Sequence, residues 1–161
     1  MERPKLSVGL ASCGIAAGAQ KVYDKLQELR RADQLDIELI KTGCNGMCYR
    51  EPLVEVTDET GSYLYGEVDE QKAVEIMDKH IGNDEPIREY VVKSDLFETE
   101  DDAFWKGQVK ISLRNCGVID PENIREYEKR EGYQALRKIL NENISREEVI
   151  QTIYDSGLRG R

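Results

Sequence analysis

The sequence predicts an α/β fold in two parts, and three observations predict it. Short apolar runs of strand length surround one long stretch of helical period near the amino terminus. The pattern breaks around Gly82-Asn83-Asp84-Glu85-Pro86, a cluster of turn residues. From Asp120 onward, helix-start and helix-stop residues recur at short intervals. The expected organisation is an α/β domain over residues 1–84, followed by a small, mainly helical segment over residues 85–161.

Lys5–Leu10 reads as a short buried strand, and Ile15–Arg31 as a helix whose Ala16, Ala17, Ala19, Val22, Leu26 and Leu29 form an apolar stripe. Leu35–Ile40 alternates apolar with acidic residues, as a half-buried strand does. Leu53–Thr57 and Tyr63–Tyr65 are strands joined by the turn Asp58-Glu59-Thr60-Gly61, with Val54 and Val56 on one face. Asp69 is placed to N-cap a helix running to about Lys79. A helix crossing between the first two strands implies a parallel pair, and the closing strand–turn–strand step implies an antiparallel hairpin. This order resembles the thioredoxin-like arrangement. In that arrangement a proline facing the active-site loop is often cis, so a cis Glu51–Pro52 bond is expected.

In the second part, Ile87–Val92 and Val109–Leu113 read as strands or extended segments. Glu98–Asp102 reads as a solvated acidic loop, and Phe104-Trp105 as a docking aromatic pair. Asp120, with Pro121 and Glu122 behind it, is expected to cap a helix that Gly132 ends. Tyr133–Leu140 follows as a second helix. Ser145-Arg146-Glu147-Glu148 is a capping box that opens a third, ended by Gly157.

Composition narrows the function classes. The chain has 161 residues, 39% hydrophobic and 34% charged, with a net charge of −9 and both halves acidic. Without a basic stripe, nucleic acid is not an expected partner. No apolar run approaches the ~20 residues of a membrane span, so direct membrane insertion is not expected. The amino terminus has no apolar signal core, which makes a cytoplasmic location the expectation. There, four cysteines read as reduced thiols or metal ligands rather than a disulfide framework.

The chemistry concentrates in Gly43-Cys44-Asn45-Gly46-Met47-Cys48, followed by Glu51-Pro52. Cys44 and Cys48 stand in a glycine-punctuated loop, and Cys13 lies upstream in a similar loop, Ser12-Cys13-Gly14. Thiols at strand ends suit soft metals. Gly43 and Gly46 permit backbone turns that aim N–H groups at sulfur, one means of tuning an iron–sulfur centre.

Two tracts resemble known families. Val8-Gly9-Leu10-Ala11-Ser12-Cys13-Gly14-Ile15-Ala16-Ala17-Gly18-Ala19, continuing to Thr42–Cys48 and Glu51-Pro52-Leu53-Val54, resembles the thioredoxin-like [2Fe-2S] ferredoxin domain. Leu113-Arg114-Asn115-Cys116-Gly117-Val118-Ile119-Asp120-Pro121, continuing through Tyr127, Gly132-Tyr133, Ala135-Leu136 and Ser156–Arg161, resembles the entry to the NADH-binding flavoprotein subunit of respiratory complex I. Hydrogenases, formate dehydrogenases and electron-bifurcating complexes carry similar subunits. The resemblance implies an amino-terminal fragment of an oxidoreductase that passes electrons from NADH through FMN to iron–sulfur centres. Its implied partners are the other subunits of such a complex, including a small ferredoxin-like one. It also implies metal ligation by Cys13, Cys44 and Cys48, no catalytic residue within this portion, and the first residues of the FMN cradle at Gly160 and Arg161. Without the rest of that cradle, the chain by itself is expected to bind neither FMN nor NAD tightly and to be inactive alone.

The family's cluster takes four thiolates, and the first loop here offers only Cys13. Three alternatives stay open. The cluster is lost and the domain serves as a docking module; or a fourth ligand comes from Ser12, Cys116, a partner or water; or the thiols act in redox chemistry without metal, or not at all. Plainer readings stand beside these: loop thiols at Cys44 and Cys48, small packing residues at Cys13 and Cys116, a structural His80 at a helix C-terminus, and packing or interface roles for Tyr63, Tyr65 and Trp105.

Overall fold

The computed structural model describes residues 3–160. Residues up to Glu122 form one compact unit, and those from Asn123 onward form a second.

The first unit is built on a five-stranded sheet in the order β2-β1-β3-β4-β5. Its strands are β1 (Lys5–Gly9), β2 (Glu38–Thr42), β3 (Val54–Thr57), β4 (Ser62–Tyr65) and β5 (Val91–Ser94). β1 and β2 run parallel, with Gly9 beside Thr42, and the pairs β1/β3, β3/β4 and β4/β5 are antiparallel. The expected parallel pair and hairpin are therefore present, and the Glu51–Pro52 bond is cis.

One helix expected between β1 and β2 is two: α1 (Ser12–Ala17) and α2 (Ala19–Ala32). Gly18 separates them at φ +106°, with its N–H on the Ile15 carbonyl. Only glycine takes that conformation at little cost, so a position that reads as a tolerated helix interior becomes a break. Ala19, Val22 and Leu26 of α2 meet Leu6, Val8, Val54, Val56 and Tyr65 in the main core. Deleting such side chains to alanine costs about 2–5 kcal/mol each.

α3 (Glu70–Glu75) starts at Asp69, whose carboxylate accepts from the Lys72 N–H at 2.8 Å, as expected. It widens into a π-helical turn over Ile76–Ile81, which carries Ile76, Met77 and His80 inward. His80, expected as a structural residue at a helix C-terminus, lies in this turn. It is buried, with Nε2 2.8 Å from Asp58 Oδ2 and Nδ1 2.7 Å from the Tyr65 hydroxyl. Burial pushes Tyr65 well above the usual phenol range. Burial would also raise Asp58, but hydrogen bonds from Thr60, His80 and the Thr60 and Gly61 N–H groups outweigh it and hold the carboxyl below its ordinary value.

The sheet runs past the expected division at 84/85, because β5 lies beyond it and pairs with β4. Val109–Leu113 forms no strand: its alternating pattern finds no strand partner, and Val109 and Ile111 are 84% and 79% exposed. α4 (Asp102–Trp105) is a single turn.

The second unit holds α5 (Ile124–Lys129), α6 (Gln134–Asn141) and α7 (Arg146–Asp155). Asn123, not Asp120, caps α5, and Asp120 instead accepts from the Glu122 N–H just ahead of the helix. Ser145 Oγ accepts from the Glu148 N–H at 3.2 Å, the expected cap of α7, and Gly157 follows that helix at φ +73°. Leu136, Leu140, Ile150, Ile153 and Tyr154 are exposed in this unit. Among the described residues, no helix is long and apolar enough to cross a membrane.

Candidate functional site

The parallel β1–β2 pair decides where the thiols fall. Both strands end at the same edge of the sheet, so Cys13 on α1 and the Cys44–Cys48 loop leave from neighbouring points. The ends are tied together: the Leu10 N–H donates to the Thr42 carbonyl at 2.9 Å, and the Thr42 hydroxyl reaches the Val8 carbonyl at 3.4 Å.

Within the loop, Asn45 Oδ1 accepts from the Met47 N–H at 2.9 Å, a side-chain turn that starts the curl. Gly46 sits at φ +101°, and its N–H points to Cys44 Sγ at 3.3 Å. Met47 is buried with Leu53 and Leu64 against Val92 and Trp105 and anchors the loop to the sheet face opposite the main core. The chain then turns through a 3₁₀ segment, Cys48–Arg50, into the cis bond.

Cys44 Sγ and Cys48 Sγ lie 3.6 Å apart. That is far beyond the about 2.05 Å of a disulfide. Two thiolates on one tetrahedral ion, each bound at about 2.3 Å, are about 3.8 Å apart. The reduced pair therefore already has the spacing of half a tetrahedral ligand set. Burial pushes the Cys44 thiol up; the Gly46 N–H offsets part of this, and Cys48 and Glu51 add to it.

Cys13 is exposed, and among the described residues no three cysteine, histidine, aspartate or glutamate groups are gathered closely enough to hold a metal ion. The structure thus brings Cys44 and Cys48 together and puts Cys13 apart from them, in the first turn of α1 rather than in the loop that Ser12-Cys13-Gly14 suggested. Gly160 stands in open surroundings, and Arg161 lies outside the described residues.

Several supports of this loop lie far away in sequence. Asp101, expected in a solvated loop, is a clamp: its carboxylate accepts from Arg50 Nε at 3.0 Å and from the Tyr49 hydroxyl at 3.2 Å. Trp105, expected as a docking aromatic, lies on the loop, and a side chain added at Gly46 would meet its ring at 3.1 Å. Glu51 accepts from the Leu53 N–H at 3.0 Å and faces Gly9 and Gly14; burial raises its carboxyl, partly offset by that N–H. A side chain at Gly14 would stand 2.3 Å from the Gly9 carbonyl, so glycine is required there. Gly117 packs on Asn45 in the same way, its added Cβ falling 2.4 Å from that residue's Cβ. Contacts across sequence distances such as 50 to 101 or 45 to 117 have no local signature.

No protein-family model matches the chain. Two subunits of the NADP-reducing hydrogenase of Solidesulfovibrio fructosivorans are similar to it. Subunit HndC is 46% identical over 56 residues, 35% of this chain and 11% of HndC. Subunit HndB is 32% identical over 84 residues, 51% of this chain and 67% of HndB. The chain thus spans about a tenth of one relative and two thirds of the other. Among solved structures, a thioredoxin-like [2Fe-2S] ferredoxin from Aquifex aeolicus superposes with a TM-score of 0.53 at 24% identity, covering 59% of this chain and 94% of that one. The wild-type crystal structure of that ferredoxin at 1.5 Å resolution gives 0.53 at 23%, covering 58% and 99%. At this identity the likeness shows the fold, thioredoxin-like, as expected. On the extent and identity of the match, the chain belongs to the family of the NADP-reducing hydrogenase subunit HndB.

Proposed function

We propose that this chain supplies the thioredoxin-like domain and the entry segment of an NADH-oxidising flavoprotein subunit, and that it carries electrons through a [2Fe-2S] centre held by Cys13, Cys44, Cys48 and a fourth donor. The observation that carries this reading is the 3.6 Å spacing of Cys44 and Cys48, which suits two thiolates on one iron. When bound, such a centre takes up and gives back one electron at a time. The chain's own residues set the conditions for it. The Gly46 N–H stabilises charge on Cys44 Sγ, the Asp101–Arg50 ion pair fixes the turn that carries Cys48, and Met47 seals the loop from below.

The similarity to HndC and HndB supports a place in a multi-subunit oxidoreductase, with other subunits, a small ferredoxin-like one among them, as partners. FMN and NAD belong to the whole flavoprotein subunit in this reading, and the chain alone binds neither tightly; low-micromolar FMN binding in a titration would overturn that. The cytoplasm, without nucleic acid or membrane insertion, is the proposed setting.

The test is anaerobic reconstitution with iron and sulfide, followed by metal and sulfide analysis and an EPR spectrum of the reduced protein. About two irons per chain, lost in Cys44→Ser and Cys48→Ser, is the expected outcome. A second reading, a cluster-free docking module, draws on the absence of a gathered three-ligand group among the described residues. It predicts colourless protein and no iron after the same treatment.

A further inference from the structure

We propose that Cys44 and Cys48 are a site of reversible oxidation, a dithiol that low-molecular-weight disulfides convert to an intramolecular disulfide, and that this bond and iron compete for the same two sulfurs. The first half stands on the loop itself. The competition rests on the iron–sulfur reading above and adds the redox condition under which the loop is open to iron.

Proximity is the first reason. Cys44 Sγ and Cys48 Sγ are in contact at 3.6 Å, so rotation about side-chain bonds is what separates the dithiol from the disulfide. The backbone keeps them there. The Asn45 side chain turns the loop, Met47 is pinned in a buried cluster, and Asp101 grips the Arg50 that follows Cys48. Number is the second reason. Among the described residues no third cysteine, histidine or carboxylate joins the pair in a group fit to hold a metal. Two thiols are too few for a closed metal site, but they are all that a disulfide requires. Access is the third. Cys48 is exposed and Cys44 is half-buried, with the Gly46 N–H donating to Cys44 Sγ at 3.3 Å. The outer thiol meets a small disulfide first, and the inner one is held to resolve the product.

The step is thiol–disulfide exchange. The Cys48 thiolate attacks one sulfur of the small disulfide, whose S–S bond breaks. A mixed disulfide forms on Cys48 and one small thiol leaves with a proton. The Cys44 thiolate then attacks Cys48 Sγ and displaces the second small thiol. Two electrons and two protons pass from the dithiol to the small disulfide. The bond closes a loop of five residues at an exposed position, so it gains little from chain entropy and excess thiol reverses it. Metals bind thiolate, so the oxidised loop offers iron neither sulfur.

The experiment equilibrates the full chain, without oxygen or metal, in glutathione buffers of increasing disulfide content. Remaining thiols are then blocked with iodoacetamide, and the protein and its peptides are analysed by mass spectrometry. Two of the four thiols should be lost together, with the link mapped to Cys44 and Cys48, and reduced glutathione should restore all four. Cys44→Ser should stop at a glutathione adduct on Cys48, while Cys13→Ala and Cys116→Ala behave as wild type. Trp105 lies on Gly46 and shares a cleft with Cys44, and a disulfide quenches a neighbouring indole. Its emission should fall on oxidation of wild type and hold in Cys44→Ser and Cys48→Ser, whose unchanged urea midpoints show intact folding. Four free thiols throughout, a lasting adduct on wild-type Cys48, or a link through Cys13 or Cys116 would overturn the proposal. A second arm loads the reduced chain with iron and sulfide, desalts it and applies the same oxidised buffer. Disulfide should form only in step with iron release. Disulfide at 44–48 with all iron retained would overturn the competition. No iron loaded at the start would overturn the iron–sulfur reading and leave the disulfide standing on the first arm.

Discussion

Gly46 and Gly18 form an internal experiment on the cysteine loop. They sit at φ +101° and +106°, nearly the same left-handed backbone. A side chain at Gly18 meets nothing within 4 Å, whereas one at Gly46 meets the Trp105 ring at 3.1 Å. Replacing either with alanine forces an L-residue into the left-handed region, a cost of about 1–2 kcal/mol. Gly18→Ala should lose that amount and no more. Gly46→Ala should lose it and also displace the aromatic ring, adding roughly 1–2 kcal/mol of the kind seen on overpacking. Urea unfolding gives both numbers. Trp105 is the chain's single tryptophan, so its emission reports on the loop directly. The expected outcome is a larger loss of stability and a shifted emission maximum in Gly46→Ala, with native-like emission in Gly18→Ala. Equal losses together with unchanged emission in both variants would refute the placement of Trp105 on the cysteine loop.

Met47→Ala removes a side chain that is 2% exposed and should cost about 2–5 kcal/mol, while Cys44 and Cys48 react faster with a thiol reagent; a loss under about 1 kcal/mol would show that Met47 does not anchor the loop. Asp58→Asn tests the Tyr65–His80–Asp58 chain by pH. The folded state holds the Asp58 carboxyl below its ordinary value, so its contribution is present above the unfolded value, about 3.9, and is lost as pH falls through the folded one. The stability gap between wild type and variant should therefore be widest near neutrality and close in acid; a gap independent of pH would show that the carboxylate's charge contributes nothing.

Features governed by neighbours in sequence were legible. Val54 and Val56 alternate onto the buried face, Asp69 and Ser145 cap the helices they precede, and the cysteine loop carries its glycines where the backbone turns. Features set by distant neighbours were not. Nothing local distinguishes Gly18, a break, from a glycine tolerated within a helix, because the outcome depends on how α2 lies against the sheet. Asp101 looks like any member of an acidic run until Arg50 is placed opposite it. Val109–Leu113 has a strand's period, and period alone does not provide a strand to pair with.

The same distinction bears on the sulfur site. Its two gathered thiols stand within a few residues of each other, but what holds them there comes from elsewhere. β5 covers the edge of β4, which would otherwise offer unpaired backbone groups. Asp101 grips the turn after Cys48, Trp105 rests on Gly46, and Gly117 rests on Asn45. All four supports come from beyond position 84, where the sequence pattern alone suggested a boundary. A protein that must hold a redox centre at a fixed potential needs its ligands positioned by packed neighbours rather than by the loop that bears them, since hydrogen bonds and burial around sulfur set that potential. On the proposed iron–sulfur reading, the segment between the sheet and the second unit, which has little regular structure of its own, is the part of the chain that positions the cysteine loop.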